Sequence, residues 1–185
     1  MKICMSDDRS AYLINKLKGS KSYLEIGCGG STVEASKYVK RIVTIDNSLE
    51  WIDLVKQSVD PSTDITYIYV EMPIRPKNFG RPTENCTDVQ KRDYSRVIDT
   101  IDCSDVDLVL IDGRFRVAVA LHLSPKITED VVVLFDDYIP RPQYKIVEKY
   151  YDIVEIVDNS LVSLRKRKDV TVDLEELSRY ELISE

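Results

Sequence analysis

The sequence has few of the features that mark secreted, zinc-binding or membrane proteins. Its four cysteines, Cys4, Cys28, Cys86 and Cys103, are widely spaced and form no C-x-x-C pair. Neither a zinc site nor a disulfide framework is therefore expected, and reduced thiols are typical of a cytosolic setting. No apolar run approaches the roughly 18 residues of a membrane span, and the N-terminus is too polar for a signal peptide. We expect a cytoplasmic protein without membrane contact.

An excess of positive charge is also missing. The 185 residues carry a formal net charge of −6, whereas unaided nucleic-acid binding requires a basic surface. We therefore do not expect nucleic acid as a partner, although a local basic patch is compatible with this charge. Hydrophobic residues make up 43% and charged residues 31% of the chain, as in ordinary soluble globular proteins. The length suits one α/β domain that buries its own core.

What the sequence does contain is a glycine-rich turn between a predicted strand and a predicted helix. The run Y-L-E-I-G-C-G-G-S-T spans residues 23–32, and the next apolar run ends at Asp46, 19 residues after Gly27. Glycines let the backbone approach a ligand closely, because they have no Cβ. An acid at the end of the second strand can accept hydrogen bonds from ribose hydroxyls. The pattern therefore predicts a nucleoside-binding unit.

The spacing favours S-adenosylmethionine over a dinucleotide. A dinucleotide fingerprint has glycines at positions one, three and six, whereas position six here is Thr32 and Glu25 stands two residues before the first glycine. This acid-x-Gly-x-Gly-Gly pattern resembles the first motif of class I methyltransferases. In that family the methionine part of the ligand lies over the glycine turn, and the acid helps to orient its amino group. The resemblance implies an S-adenosylmethionine site formed by Glu25, Gly27, Cys28, Gly29, Gly30, Ser31, Thr32, Asp46, Asn47, Glu71 and Asp112.

Helical and strand patterns alternate along the chain after this turn. Strands are predicted at 41–46, 64–71, 105–112 and 131–137, with a closing hairpin of 151–158 and 161–167. The runs at 105–112 and 131–137 are nearly continuously apolar, as expected for parallel strands covered on both faces. Helices are predicted at 31–39, 49–59, 87–100, 114–123 and 143–149. We therefore expect an α/β fold over residues 1–168, namely a doubly wound, mostly parallel seven-stranded sheet with helices on both faces, Rossmann-like as in class I methyltransferases.

Two segments extend beyond this minimal domain. Residues 72–85 contain three prolines and a glycine, which predicts an ordered loop that covers adenine or substrate, or else a plain surface connection. The tail at 169–185 fits an amphipathic helix that uses Val172, Leu177, Tyr180 and Ile183. The sequence leaves open whether this helix packs on the domain, joins a partner or frays. Trp51 is expected either beside adenine or in the core.

Acidic residues recur where the predicted parallel strands end. They are Asp46, Glu71, Asp112, Asp136 and Asp137. The fourth and fifth strands are expected to be neighbours, about 4.8 Å apart, so the last three carboxylates are predicted to meet. Such a cluster repels itself and raises its own pKa values, and Mg²⁺ or Mn²⁺ would remove that conflict. The alternative is that these acids are solvated strand ends or helix caps.

A narrower resemblance rests on L-I-D-G at 110–113 and F-D-D-Y at 135–138. The pair is similar to the metal-dependent sugar O-methyltransferases of the macrocin type, although catechol-type enzymes share the layout. The resemblance implies that Asp112, Asp136 and Asp137 are the catalytic residues and hold a divalent metal. That group often has a second acid two positions after the first, where this chain has Arg114. The general base is therefore left open between Asp136, Asp137 and solvent.

Other polar residues near the predicted strand ends are candidates for substrate contacts. Arg114 and Arg116 are expected to hold an anionic substrate or to pair with the carboxylates. Tyr138 and Arg141 lie in a proline-stiffened loop that suits a sugar or aromatic acceptor. His122 is the single histidine and lies on an apolar helical stripe, so we predict a structural role for it.

The leading hypothesis is an S-adenosylmethionine-dependent O-methyltransferase that acts on a small polar acceptor, preferably a sugar or glycan hydroxyl, with a divalent metal. Methylation of a phenol and methylation of a nucleic-acid nitrogen are alternatives. Methylation of nucleic acid is disfavoured, because I-D-G-R at 111–114 lacks the Asn/Asp-Pro-Pro-aromatic run of such enzymes. A non-catalytic nucleoside-binding module and an aminopropyltransferase-like enzyme also stay open. The chain is compatible with a homodimer or with one part of a larger multidomain protein.

Overall fold

The computed structural model describes residues 1–184, and within that range it contains a seven-stranded sheet. The strands are β1 (Ser22–Ile26), β2 (Arg41–Asp46), β3 (Asp64–Tyr69), β4 (Leu108–Ile111), β5 (Val132–Phe135), β6 (Tyr151–Ile156) and β7 (Val162–Lys166). Their order is β3-β2-β1-β4-β5-β7-β6, with β1 to β5 parallel and β7 antiparallel between β5 and β6. The predicted doubly wound, mostly parallel sheet is confirmed.

The helices lie on both faces of this sheet. They are α1 (Asp7–Lys18), α2 (Gly30–Ala35), α3 (Leu49–Lys56), α4 (Asp88–Arg96), α5 (Arg116–Leu123) and α6 (Leu174–Tyr180). Short 3₁₀ turns at Val97–Thr100, Ser124–Lys126 and Pro142–Lys149 complete the connections. The predicted helix at 143–149 is therefore a 3₁₀ segment, and those predicted at 31–39 and 49–59 end earlier, at Ala35 and Lys56.

Helix α1 was not predicted from the sequence. The Oγ of Ser6 caps it by accepting a hydrogen bond from the Arg9 amide at 3.3 Å, and acids fill the first turn and lysines the last. Leu13 and Leu17 are fully buried on its apolar face. The i, i+4 spacing of these two leucines is the sequence signal that could have revealed the helix.

Alternation along the buried strands divides the core between the two faces of the sheet. In β4, Val109 and Ile111 pack with α4 and α5, whereas Leu108 and Leu110 pack with Leu13 of α1. Three predicted strands are shorter than expected, because β3 ends at Tyr69, β4 begins at Leu108 and β5 ends at Phe135. Beyond β4 and β5, Asp112, Asp136 and Asp137 leave the ladder and line a cavity, whereas Glu71 beyond β3 does not.

The C-terminal tail packs on the α4–α5 face of the domain. Val172, Leu177 and Tyr180 are partly buried against the core there. Glu181 is 1% exposed and contacts Arg92 at 2.5 Å and Arg96 at 2.6 Å. Packing on the domain is therefore the outcome that the structure supports among the three considered.

His122 takes part in the same contact as the tail. Its Nε2 lies 3.0 Å from Glu181 and its Nδ1 lies 3.1 Å from Asp99. The side chain is buried on α5 and takes no part in the cavity at the strand ends. The structural role predicted for His122 agrees with this position. No helix within residues 1–184 is long and apolar enough to cross a membrane.

Candidate active site

A cavity of about 800 Å³ lies at the carboxyl ends of the parallel strands. Its walls are the turns that follow β1 to β5, together with the N-terminal segment Met1–Met5. Cavities of this size are typical of small-molecule sites. In open parallel sheets, ligands bind at this edge, where the strand order reverses on either side of β1. The predicted location of the ligand site therefore coincides with a real cavity.

The glycine turn after β1 touches the turn after β4. Gly27 has a φ of 95°, and a Cβ at this position would lie 2.8 Å from the amide nitrogen of Gly113. A side chain here would be strained by the backbone angle and blocked by the neighbouring turn. Gly27 is thus required by the packing of two turns as well as by the approach of a ligand.

The N-terminal segment crosses the start of α2. A Cβ at Gly30 would lie 2.1 Å from the carbonyl oxygen of Lys2. The segment therefore packs directly on the backbone of α2 and forms one wall of the cavity. Sequence reasoning missed this wall, because no local pattern in residues 1–5 indicates it.

Glu25 supports the glycine turn from below instead of facing the cavity. Its carboxylate accepts hydrogen bonds from the hydroxyl groups of Thr32, Tyr23 (3.2 Å) and Thr44 (3.3 Å). Complete burial raises the pKa of Glu25 to about 7, against the lowering effect of its hydroxyl partners. The Thr32 hydroxyl also accepts a hydrogen bond from the Gly29 amide at 2.9 Å. Since side chains alternate along β1, Glu25 points to the α2 face of the sheet, as Tyr23 does. Glu25 does not line the cavity, so it is not placed for the contact with the ligand that the sequence predicts.

Asp46 lines the cavity at the end of β2. Its two carboxylate oxygens accept hydrogen bonds from the amides of Cys28 at 3.0 Å and Ser48 at 2.8 Å. Burial raises the pKa of Asp46 to about 6. Asn47 also lines the cavity and donates to the carbonyl of Gly80 at 2.8 Å. A carboxylate accepts up to about four hydrogen bonds, so Asp46 is chemically suited to ribose hydroxyls as well.

Trp51 and the 72–85 loop form the wall near Asp46. The Trp51 indole donates to the carbonyl of Cys28 at 2.6 Å, and its ring is partly exposed to the cavity. The loop is held by a bridge between Ile74 and Pro82, and residues 74–81 line the cavity. Phe79, at the tip, is 83% exposed with a φ of 47°. The loop therefore borders the cavity, and its role as a cover over adenine or substrate stays a prediction.

Asp112, Asp136 and Asp137, the aspartate cluster, meet at the other end of the cavity. One carboxylate oxygen from each lies within 4.8 Å of the others. Asp112 follows β4 directly, and the chain reverses after β5 at Asp137, whose φ is 57°. The sequence prediction that these three acids converge is confirmed.

Arginine side chains fill the space between these carboxylates. The Arg116 guanidinium is 2% exposed and lies 3.0 Å from an oxygen of Asp112 and 3.3 Å from an oxygen of Asp137. It also donates to the carbonyls of Gly113 at 2.9 Å and of Asp136 at 2.6 Å. Arg116 therefore holds the turns after β4 and β5 together.

Two further arginines approach the cluster from outside. Arg9 of α1 donates to Asp136 at 2.8 Å, and Arg141 donates to Asp137 at 2.8 Å. Each aspartate thus has a guanidinium partner, and the repulsion that a divalent cation would relieve is already compensated. The three carboxylates are close enough to share a cation, but their guanidinium partners leave the predicted Mg²⁺ or Mn²⁺ without support from the structure.

Asp112 and Arg114 have pKa values that depart from their ordinary range. Burial raises the pKa of Asp112, and the charges of Asp136 and Asp137 add to the increase while Arg116 opposes it. Arg114 is buried and lines the cavity. Its pKa is lowered by burial and by the nearby charge of Arg116.

Besides Glu25 and Thr32, which lie beneath the glycine turn, two more of the predicted site residues lie away from the cavity. Glu71 is exposed and borders a separate groove beside α4, because β3 ends two residues earlier and the chain turns outward. Tyr138 is 3% exposed, with its ring 5.4 Å from that of Phe135 and its hydroxyl 3.1 Å from Glu148. The reversal at Asp137 turns Tyr138 into the core. Neither residue is placed for the ligand or acceptor contact predicted for it.

Arg9 and Tyr94 are among the cavity residues that the sequence did not reveal. Arg9 belongs to the helix that was not predicted. Tyr94 of α4 lines the cavity, and its hydroxyl accepts a hydrogen bond from the Arg114 amide at 3.3 Å. The remaining predicted residues that line it are Gly27, Cys28, Gly29, Gly30, Ser31, Asp46, Asn47, Asp112, Arg114, Arg116, Asp136, Asp137 and Arg141.

No protein-family model and no curated protein matches the chain. Solved structures do match it. A methyltransferase-like protein from Silicibacter pomeroyi is 24% identical, with a TM-score of 0.85 over 98% of this chain and 97% of that one. The N-methyltransferase NodS from Bradyrhizobium japonicum, solved with S-adenosyl-L-homocysteine, is 12% identical, with a TM-score of 0.57 over 88% of this chain and 89% of that one. Precorrin-6y C5,15-methyltransferase from Geobacter metallireducens is 15% identical, with a TM-score of 0.53 over 91% and 93%.

These likenesses concern the fold. The chain has the seven-stranded, Rossmann-like fold of class I S-adenosylmethionine-dependent methyltransferases, as the sequence predicts. Since unrelated activities occur on one fold, the function has to be argued from the cavity itself.

Proposed function

We propose that the protein is an S-adenosylmethionine-dependent methyltransferase acting on a small acceptor. The observation that carries the proposal is the cavity at the strand ends, which has the Gly27 turn and Asp46 at one end and the aspartate cluster at the other. One end suits a nucleoside and the other a polar acceptor. The likeness in fold to methyltransferases supports the same conclusion.

The residues near β1 and β2 fit the cofactor. The turn at 27–30 offers backbone without side chains except at Cys28, and Asp46 offers carboxylate oxygens for the ribose hydroxyls. Trp51, together with Ile74, Pro76 and Phe79 of the loop, offers aromatic and apolar surface suited to a purine. Bound S-adenosylmethionine supplies an electrophilic methyl group. Glu25 and Thr32 contribute by keeping the glycine turn in shape.

The acceptor is proposed to lie beside the aspartate cluster. Methyl transfer is an in-line displacement, so the protein must hold the acceptor oxygen about 3 Å behind the methyl carbon. Asp112 lines this part of the cavity, and its raised pKa suits a base that takes a hydroxyl proton near neutral pH. The new bond is acceptor oxygen to methyl carbon, the broken bond is sulfur to methyl carbon, and the proton moves to Asp112 and then to solvent.

A sugar hydroxyl is the acceptor that we propose, on the sequence resemblance of residues 110–113 and 135–138. The metal implied by that resemblance is not part of the proposal, because Arg9, Arg116 and Arg141 already pair with the three aspartates. Positioning is assigned to these arginines and proton removal to Asp112.

Titration calorimetry with S-adenosylhomocysteine tests the cofactor site. We expect binding by the unchanged chain and a loss of about tenfold to a hundredfold in affinity for Asp46→Ala, since charged hydrogen bonds to the ribose are removed. Asp53→Ala is the matched control, because Asp53 is an exposed acid on α3. Circular dichroism verifies that Asp46→Ala is folded.

Failure to bind S-adenosylhomocysteine would reject the proposal, and NAD binding in its place would favour a dehydrogenase. Binding without methyl transfer to any acceptor would favour a non-catalytic module.

A further inference from the structure

We propose that the acceptor carries an oxyanion, either a carboxylate or a phosphate, and that Arg114 and Arg141 bind it beside the aspartate cluster. This inference rests on the proposed methyltransferase function. It narrows the acceptor from a polar molecule to an acidic one.

The charge balance at this end of the cavity supports the proposal. Arg9, Arg114, Arg116 and Arg141, the arginine group, line the cavity together with the aspartate cluster. These four guanidinium groups face the three carboxylates of the cluster, and Arg9 also pairs with Asp158 outside the cavity. Over the whole cavity, eight basic side chains stand against five acidic ones, although the chain carries −6. A concave, poorly solvated site of this sign attracts anions and repels divalent cations.

The mouth of the cavity extends this positive character. Lys2, Arg75, Lys77 and Arg81 line it, against Glu50 as the acid at the rim. Arg75 is paired with Glu84 at 2.5 Å, which lies in the same loop. The basic side chains therefore form a path that favours the entry of an anion.

Within the arginine group, Arg116 and Arg9 have structural positions. Arg116 is almost fully buried and connects three backbone carbonyls with two carboxylates. Arg9 connects α1 to Asp136 at 2.8 Å and to Asp158 at 3.1 Å. Their donors are directed to the protein itself, so we assign them to positioning.

Arg114 and Arg141 are the two arginines that we assign to the oxyanion. Arg114 lies in the turn after β4, is nine-tenths buried and still lines the cavity together with the aspartate cluster. A guanidinium group in such a position offers charged donors to a carboxylate or phosphate in the cavity.

Arg141 lies closer to solvent, with 28% of its side chain exposed. It donates to the Tyr144 hydroxyl at 2.7 Å and to Asp137 at 2.8 Å. These two contacts use two of its five N–H groups. The other donors of its planar fork are suited to a second contact with a carboxylate or phosphate.

Calorimetric titrations of the full chain, saturated with S-adenosylhomocysteine, test the inference. The probes are glucose, glucuronate and glucose 6-phosphate, which share a sugar ring and differ in having no acid, a carboxylate or a phosphate. We expect one of the two acids to bind at least about tenfold more tightly than glucose, because a charged hydrogen-bonded pair is added. The stronger of the two identifies the oxyanion.

Variants then assign the contact to residues. Arg114→Gln and Arg141→Gln are expected to weaken acid binding by at least about tenfold while the affinity for S-adenosylhomocysteine changes less than about twofold. Arg167→Gln is the control, because it removes the same charge from a position outside the cavity, where Arg167 pairs with Asp152.

Three results would overturn the inference. The first is equal affinity for glucose and both acids, and the second is an affinity for the acid that is the same in Arg114→Gln, Arg141→Gln and Arg167→Gln. The third is tight Mn²⁺ binding that Asp137→Asn abolishes. Loss of S-adenosylhomocysteine binding is a separate result, because it rejects the methyltransferase proposal before any acid is added.

Discussion

Glu25 is a carboxyl group that the fold buries completely among hydroxyl groups. Tyr23 and Thr44 donate to it at 3.2 Å and 3.3 Å, and Thr32 connects it to the amide of Gly29. Its pKa of about 7 means that the folded protein holds a proton that the unfolded chain releases at lower pH. The residue therefore couples stability to pH without touching a ligand.

The sign of this coupling can be worked out from the two pKa values. Between the ordinary value of 4.5 and the folded value of about 7, the folded state binds more protons than the unfolded state. The free energy of unfolding therefore falls as the pH rises through this window. A Glu25→Gln variant keeps a neutral side chain of the same shape and removes the titration. We expect its stability to vary less between pH 4.5 and 7, by about 2–3 kcal/mol.

Urea unfolding at a series of pH values measures this difference. Glu34→Gln serves as the control, because Glu34 lies on α2 near the same turn and is far more exposed. Parallel pH profiles for the unchanged chain and Glu25→Gln would show that Glu25 is ionised in the folded protein across this range.

At the scale of elements, the sequence predicts the strands and helices that a local residue pattern determines. The apolar run at 41–46 ends in Asp46 and that at 108–111 is followed by Asp112, and the 87–100 segment begins with Thr87, whose hydroxyl accepts from the Gln90 amide at 3.2 Å. The same reasoning assigned Glu71 and Tyr138 to the site. It failed there, because a strand ending two residues early and a reversal at Asp137 decide where side chains point.

The wall formed by residues 1–5 shows why other parts of the site could not be predicted. Its only sequence correlate is Gly30, whose hydrogen atoms make room for the carbonyl of Lys2. In the sequence, Gly30 cannot be distinguished from a glycine that makes room for a nucleotide, so it does not reveal the contact with Lys2. Contacts between segments far apart in sequence, including those of Arg9 with Asp136, require the folded chain.

A Gly30→Ala variant tests whether this segment closes the cavity. The added methyl group would lie 2.1 Å from the Lys2 carbonyl, so the segment has to move away from α2. We expect S-adenosylhomocysteine to dissociate about fivefold faster, a change of about 1 kcal/mol. Stopped-flow fluorescence measures the rate, since Trp51 is the only tryptophan and lines the cavity.

Gly19→Ala is the control for this variant, because its Cβ would meet the Lys16 carbonyl at an ordinary distance of 3.6 Å. Trypsin cleavage after Lys2, followed by mass spectrometry, reports the position of the segment independently. If both the dissociation rate and the cleavage rate stay unchanged, the segment is not a wall of the ligand site.

At the scale of the whole molecule, the tail at 169–184 and the sheet belong to one packed unit. Leu177 and Tyr180 extend the core on the α4–α5 face, and Glu181 accepts from Arg92, Arg96 and His122 while almost fully buried. The arginines lower the pKa of Glu181, although burial opposes them. Cooperative unfolding of the tail with the sheet is expected, because small single domains unfold in one transition.

Glu181→Ala tests this cooperativity, with Glu175→Ala as an exposed control on the same helix. Removing one partner of a buried charged cluster is expected to destabilise the protein by about 2 kcal/mol and to lower Tm by about 4–8 °C. Trp51 lines the cavity and donates to Cys28, and it is not among the residues of the α4–α5 face on which the tail packs, so its fluorescence reports on the body of the sheet. If the tail and the sheet unfold as one unit, the midpoint of the Trp51 fluorescence transition and the midpoint of the far-UV circular dichroism transition are lowered by the same amount. If the dichroism loses helix early while the Trp51 midpoint stays in place, the tail unfolds by itself and the domain ends near residue 168.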